Sequence, residues 1–477
     1  MGAEDITLSS AQEQLSALDQ RTISARELLD AHIARREAID GSLNSVVTTD
    51  LDRARSVATG IDDDRANGRQ LGPLAGLSMT VKDALAVHGM RSTGGAIELA
   101  EHVPDRDADA VAAVRSAGAV IWGKTNLPRW SGDVQAVNEM FGRTANPWDL
   151  SRTPGGSSGG ASAAVAAGIT PVELGTDIGG SVRLPAHFAG VCGHKPSFGL
   201  VPQRGYIDHL TYGSLDADVN VVGPLARTVG DLELMVDIIR DSSTPLAPAR
   251  GEARSLRVAA WLDDAACPVS DAVAEVLHTA VAAIEADGVR VDQTARPEHT
   301  FDDVFTIGMP LVSAATSPGR TDEEFARLVE RSNDPDPTLA MRARSSTMLH
   351  RDWLLLSEQR ELRRRSWDDF FTNFDIVLAP VAFVPAFEHI ADGNLYTRTL
   401  HVDGVDRPYA HLIAWTTQFG YVYLPSTVVP AGWTSDGLPV GIQIVGPYLG
   451  DATTIEFAKF VEAITGGYRV PPLARLR

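Results

Sequence analysis

The sequence predicts an α/β fold. Three stretches carry that prediction, each pairing a helix-forming segment with a short apolar strand. Ala161 to Gly168 is a run of small residues suited to a buried helix that closes on a glycine, and Val172 to Leu174 follows as a strand. Val111 to Val114 and then Ala119 to Trp122 repeat the order helix, strand. Leu256 to Trp261, Val269 to Asp287 and Val289 to Val291 read as strand, amphipathic helix, strand. Alternation of this kind places helices on the faces of a sheet. The length of 477 residues leaves room for two or three average domains or for one large α/β unit.

Before the first of these units lies a helical arm, about residues 5–70. Ser10 with Glu13 and Ser24 with Glu27 have capping-box spacing, and Leu28, Leu29, His32 and Ile33 fall near one face. Leu51 to Arg69 reads as a charged helix that ends at Asn67-Gly68. The start of the chain is polar and acidic and lacks the charged-then-apolar order of a secretory signal. No run of 18 apolar residues exists, so no membrane span is expected. The net charge of −20 argues against a basic nucleic-acid-binding surface. Cys192 and Cys267 form neither a disulfide framework nor a metal-ligand spacing, which points to a reducing, cytoplasmic setting.

The chemistry concentrates in Thr153 to Arg183. Two glycine turns there each deliver a serine: Gly155-Gly156-Ser157-Ser158-Gly159-Gly160 and Gly179-Gly180-Ser181. Glycine lets backbone N–H groups come close to a substrate, and a run of amides around a serine is what an oxyanion hole requires. Two flexible loops would look the same in isolation. A lysine adds weight. Of 42 Lys plus Arg, only Lys82, Lys124, Lys195 and Lys459 are lysine, and Lys82 ends the apolar stretch Gly72 to Asp83. Arginine stays protonated, whereas a buried lysine can give up its proton and act as a base. Asp177 and Arg183 flank the second turn, and the apolar or glycine residues between them favour a buried pair over a surface one. His187, His194 and Cys192 read as core or supporting residues.

Two motifs mislead. Gly118 to Thr125 fits G-x-x-x-x-G-K-[ST], yet its middle is a bulky apolar strand and Pro128 prevents a helix start, so no phosphate cradle forms. Gly155 to Gly160 also fits G-x-S-x-G, the nucleophile elbow of an α/β-hydrolase-type esterase. That elbow follows a strand, whereas Thr153-Pro154 precedes here; His350, His389, His401, His411 and Asp375 leave the residue types for it available.

Taken together, these residues resemble the amidase signature family. The resemblance rests on Gly72-Pro73-Leu74-Ala75-Gly76, Val81-Lys82-Asp83, Gly123-Lys124-Thr125-Asn126, Asn146-Pro147-Trp148, Gly155 to Gly160, Gly175 to Arg183, Lys195-Pro196, Gly223 to Thr228 and Gly437 to Gln443. It is good over about residues 5–240 and returns near 375–450. His194 and Ser197 depart from the family's more usual apolar residue and threonine. The resemblance implies one α/β/α domain over 1–477 with a central mixed sheet, its catalytic core at about 71–240 and 375–465, and a cis Gly156–Ser157 bond. It implies Ser181 as nucleophile, Ser157 as bridging serine and Lys82 as base, with the amides of Ile178, Gly179, Gly180 and Ser181 holding the oxyanion. No metal or cofactor is implied.

From Arg240 to Ser255 the composition breaks to Pro, Ser, Asp and Arg, an exposed connection. Gln359 to Arg365 reads as a solvated helix face, and Asp375 to Leu378 as a strand ending at Pro380. Residues 300–420 share no motif with the family but hold many aromatics, so they are expected to carry selectivity; Met140 and Phe141, with Gly156, are expected to add to the same wall. The expected substrate is a small-molecule amide or carbamate with an apolar or aryl group, turned over by a monomer or homodimer without nucleic acid or membrane. The alternatives are the amidase component of a glutamine-dependent tRNA amidotransferase, and a non-enzymatic binding relative, which the intact Lys82, Ser157 and Ser181 disfavour.

Overall fold

The computed structural model describes residues 6–207, 213–317 and 321–475. Three early strands form a small sheet in the order β1–β3–β2: β1 (Val46–Thr49), β2 (Ser78–Lys82) and β3 (Val120–Thr125), with β2 parallel and β1 antiparallel to β3. A short hairpin, β4 (Val137–Asn138) and β5 (Gly142–Arg143), follows. The main sheet starts with β6 (Val172–Asp177), β7 (Cys192–Lys195) and β8 (Val221–Ala226). It continues with β9 (Val258–Ala260), β10 (Val291–Asp292) and β11 (Ile376–Pro380). After a second hairpin, β12 (Thr399–Val402) and β13 (Val405–Pro408), it ends with β14 (Ser426–Trp433) and β15 (Pro439–Val445). Its eight strands run in the order β10–β9–β11–β15–β14–β7–β8–β6. The β9 pairings are parallel and the rest antiparallel, so the sheet is mixed.

Side-chain alternation divides the core into two faces. Ile376 and Leu378 of β11 join Ile442 and Ile444 of β15 in one cluster, with the helices Val229–Ile239, Asp271–Ala286 and Asp451–Thr465. Val377 and Ala379 join Val445 in the other, with the helices Arg183–Ala189 and Ala414–Gly420 and with Trp367 and Phe371. This is the α/β/α arrangement with a central mixed sheet. Among the described residues no helix is long and apolar enough to cross a membrane.

Both predicted capping boxes form, and they split the N-terminal arm into the helices Ala11–Asp19 and Ala25–Leu43. The charged helix runs Leu51–Ala66 and stops at Asn67. The connection after Ile239 is largely exposed, as its composition implies. Gln359 to Arg365 is not a simple solvated face. It lies within the helix His350–Asn373, where Arg360 is buried and pairs with Asp218 at 2.8 Å, and Arg363 reaches Asp303 at 2.6 Å. Charge along a helix does not separate solvated residues from those that reach an acid on a neighbouring element.

The misleading phosphate-loop motif is resolved by β3, which runs straight through Gly123, Lys124 and Thr125. Lys124 is fully buried, 3.2 Å from Asp83, and donates to the Leu85 carbonyl at 2.7 Å and Ser92 Oγ at 2.8 Å. Removing one partner of such a pair strands the other charge in the interior, which costs about 3–5 kcal/mol. Lys124→Met is therefore expected to lower unfolding stability by that order, read from urea melts, while nucleotide binding by calorimetry stays absent in both proteins.

Candidate active site

Lys82 ends β2, a strand buried at all five positions. Its Nζ donates to Ser157 Oγ at 2.6 Å and to Thr176 Oγ1 at 2.7 Å. Thr176 is a neighbour of this lysine to which nothing in the sequence points. It lies one residue before Asp177 on β6, and only the packing of β2 against β6 brings it to the lysine.

Ser157 is buried in the turn that leads into the helix Gly159–Ala166, and the Gly156–Ser157 peptide is cis. Glycine is required here for close approach. A Cβ on Gly156 would stand 2.6 Å from the Asp133 carbonyl oxygen, and one on Gly160 would stand 2.4 Å from the Asn126 nitrogen. No strand delivers this serine, which counts against a hydrolase elbow. The second turn leaves β6 and enters the helix Arg183–Ala189, with Ser181 partly exposed at its tip. The Ser158 N–H donates to the Ser181 carbonyl at 3.2 Å and ties the two turns together.

Asp177 and Arg183 are both fully buried and form the expected pair, with Nη2 to Oδ1 at 2.9 Å and Nε to Oδ2 at 3.0 Å. Asp177 also accepts from the backbone N–H groups of Gly180 at 2.8 Å and Val182 at 3.1 Å. Burial alone would raise this carboxyl, but the Arg183 charge and these hydrogen bonds outweigh it and hold it down to about 2. The Gly180 amide is thus committed inside the turn. Among the described residues, the amides of Ile178, Gly179 and Ser181 have no acceptor.

Above Ser181 opens a pocket of about 210 Å³. Gly156, Ile178, Gly179 and Ser181 line it on the side of the serine turns. Trp130, Val134, Val312, Leu395, Tyr396 and Ile413 supply apolar wall, and Arg129, Asp133 and Arg342 its charges. Arg342 stacks over Tyr396 at 4.0 Å from the ring centre. Asp133 is the one carboxylate among the lining residues, and it is already bound by Arg398 at 2.5 Å and by the Tyr409 hydroxyl at 2.9 Å.

A buried lysine on a serine, with a second serine turn beside it, is matched by the family profile described as Amidase over residues 27–455. The chain belongs to the amidase signature family. It is 30% identical over 512 residues to a component of the glutamyl-tRNA(Gln) amidotransferase of Synechococcus sp. (strain CC9605), with all of both chains covered. The corresponding component from Anaeromyxobacter sp. (strain K) is 32% identical, covering 98% of this chain and 99% of the relative. Among solved structures, a bacterial aryl acylamidase of the same family superposes with a TM-score of 0.83 at 25% identity, covering 98% and 99% of the two chains.

Within this amidase, Met140 and Phe141 do not line the pocket. They lie in the β4–β5 turn, where Asn138 Oδ1 accepts both their backbone N–H groups and Arg91 sits 5.3 Å over the Phe141 ring. The hairpin holds them against Asn138 and Arg91, outside the lining of this pocket. Of the aromatics in 300–420, Tyr396 reaches the wall, whereas Phe301, Trp367, Phe383, Tyr409, Trp415 and Phe419 are core; residues 318–320 of that region lie outside the described residues. His187 is supporting: Nδ1 accepts the Gly441 N–H at 2.9 Å, Nε2 lies 3.1 Å from the Val384 carbonyl, and burial pushes it down to about 4. His194 and Ser197 share Asp451, at 3.1 and 2.6 Å, which joins β7 to the last long helix. Among the described residues no group of three or more metal-ligating side chains forms.

Because the folded Asp177 carboxyl lies below its ordinary value of 3.8, its stabilisation is complete above about pH 4 and is lost as pH falls toward 2. Acid unfolding followed by circular dichroism is expected to show this loss in the parent, and Asp177→Asn is expected to lack that component while starting from lower stability at neutral pH.

Proposed function

We propose that this amidase hydrolyses neutral amides or carbamates that carry an apolar or aryl group, through Ser181, Ser157 and Lys82. The carrying observation is the pocket over Ser181: its wall is mainly apolar, and its one carboxylate is already bound by Arg398 and Tyr409. Neutral Lys82 takes the proton of Ser157 as Ser157 takes that of Ser181. Ser181 attacks the acyl carbon, and the Ile178, Gly179 and Ser181 amides receive the developing oxyanion. The relay returns the proton to the leaving nitrogen. Water, activated by the same relay, then attacks the acyl-enzyme and releases the acid and Ser181. The reading extends to the whole chain as one catalytic unit, with Thr176 orienting Lys82.

The second reading is the amidase component of a glutamine-dependent amidotransferase with a protein partner, and the full-length similarity to two such proteins supports it. Arg129 and Arg342 in the pocket suit the α-carboxylate of free glutamine, and what weighs against this reading for this chain is the other charge. Free glutamine brings an α-ammonium that loses water on binding and needs an anionic partner in return. Asp133 is already neutralised.

Assays of the purified chain on p-nitroacetanilide, phenyl carbamate and glutamine separate the readings. Turnover of the aryl substrates without a partner is expected; preference for glutamine, or inactivity until a partner is added, would overturn the proposal. Ser181→Ala is expected to lower kcat by on the order of 10⁴-fold or more. Lys82→Arg is expected to be as damaging as Lys82→Ala, because arginine keeps the charge but cannot release the proton. Retention of most activity in Lys82→Arg would make the lysine a structural residue.

A further inference from the structure

Thr416 is fully buried and lies far along the chain from both serine turns, in the helix Ala414–Gly420. Its hydroxyl is 2.7 Å from the Gly179 carbonyl oxygen and 3.0 Å from that of Ile413. Its own carbonyl accepts from Arg183 Nη1 at 2.7 Å. One residue therefore holds the nucleophile turn from both ends. The hydroxyl fixes the peptide plane between Gly179 and Gly180, and the carbonyl fixes the arginine that grips Asp177. The fit is close: a Cβ on Gly180, which has φ +118°, would stand 2.4 Å from Thr416 Oγ1. On the same turn of chain, Ile413 lines the pocket, and its Cδ1 would stand 3.4 Å from a Cβ on Gly179.

We infer that Thr416 is the positioning residue of the oxyanion turn, coupling the pocket wall at Ile413 to the orientation of the Gly179 and Ser181 amides. The inference rests on reading Ser181 as the nucleophile of that turn. Without the Thr416 hydroxyl that peptide plane is held only by the Gly180 N–H on Asp177, and its tilt about that single bond turns the neighbouring Gly179 and Ser181 N–H groups off the developing negative charge. Preorganised donors contribute to catalysis because they need no reorientation at the moment of reaction. Loss of the Thr416 hydroxyl thus weakens the step in which the oxyanion forms and leaves the binding that precedes it intact.

The test is the rate at which a fluorophosphonate probe phosphonylates Ser181, since that step also builds negative charge on oxygen and needs no known substrate. Thr416→Val, which keeps the shape but removes the hydroxyl, is expected to lower the maximal labelling rate by about 10- to 100-fold with little change in the half-saturating probe concentration. Thr416→Ser is expected to restore the rate to within a few fold. Melting temperatures identify any variant that is merely unfolded; if Thr416→Val does not fold, Thr416→Ala carries the same comparison. Equal maximal rates in the parent and the hydroxyl-free variant, or a loss that Thr416→Ser fails to rescue, would overturn the inference. An adduct mapped to Ser157 or Ser158, or labelling that survives Ser181→Ala, would instead overturn the nucleophile assignment.

Discussion

The buried ion pair of Asp177 and Arg183 is the constraint on which the geometry of the Ser181 turn depends. Withdrawing two charges from water is costly, and such a pair persists only where further hydrogen bonds satisfy both partners. Here Asp177 takes backbone N–H groups from Gly180 and Val182, and Arg183 reaches the Thr416 carbonyl. Gln443 of β15 completes the surround, with its side-chain amide on the carbonyls of Pro380 and Trp415. The same bonds that compensate the charges hold the turn in one shape. Strand β6, the turn and the helix Arg183–Ala189 therefore form one rigid unit, and Ser181 is presented from it.

Much of this was legible in the sequence, for identifiable reasons. Capping boxes are local, so Ser10–Glu13 and Ser24–Glu27 could be read and were found. The glycine turns announce themselves because no other residue fits where a backbone passes another at contact distance, as Gly156 and Gly160 do. Scarcity singled out Lys82, and β2 buries it as that argument requires. What failed was anything that depends on which distant element arrives beside a residue. Thr176 and Thr416 are ordinary threonines until β2 and the helix Ala414–Gly420 are in place. Density of aromatics in 300–420 predicted a wall, yet most of those rings fill the core, because a large apolar ring is buried wherever the fold offers space. The residues that do line the pocket come from seven separate stretches, near positions 130, 156, 180, 314, 342, 396 and 413, and no single stretch carries their pattern.

This division also explains how chains alike in their turns can differ in what they accept. The serine turns and Lys82 sit on strands and helix ends that the main sheets fix. The wall is assembled from loops and from helices at the sheet's margin, where Trp130 and Ser131 both adopt positive φ, at 52° and 54°. Substitutions there change the shape and charge of the pocket without touching the hydrogen bonds beneath it. Asp133 shows how far such an effect reaches: Arg398, which pairs with it, and Tyr409, which donates to it, lie 265 and 276 positions away in sequence.

The scarcity of lysine has a practical side. Three of the four side-chain amines, Lys82, Lys124 and Lys195, are at most 1% exposed. Only Lys459 reaches solvent, with its side chain 34% exposed and its amine held by Glu233 and Glu456. To an amine-directed reagent this large protein offers a single lysine, on the last long helix, on the face of the sheet opposite the serine turns. Fluorophores, cross-linkers or solid supports joined through lysine would thus attach at one defined position and in one orientation, with the pocket over Ser181 left open.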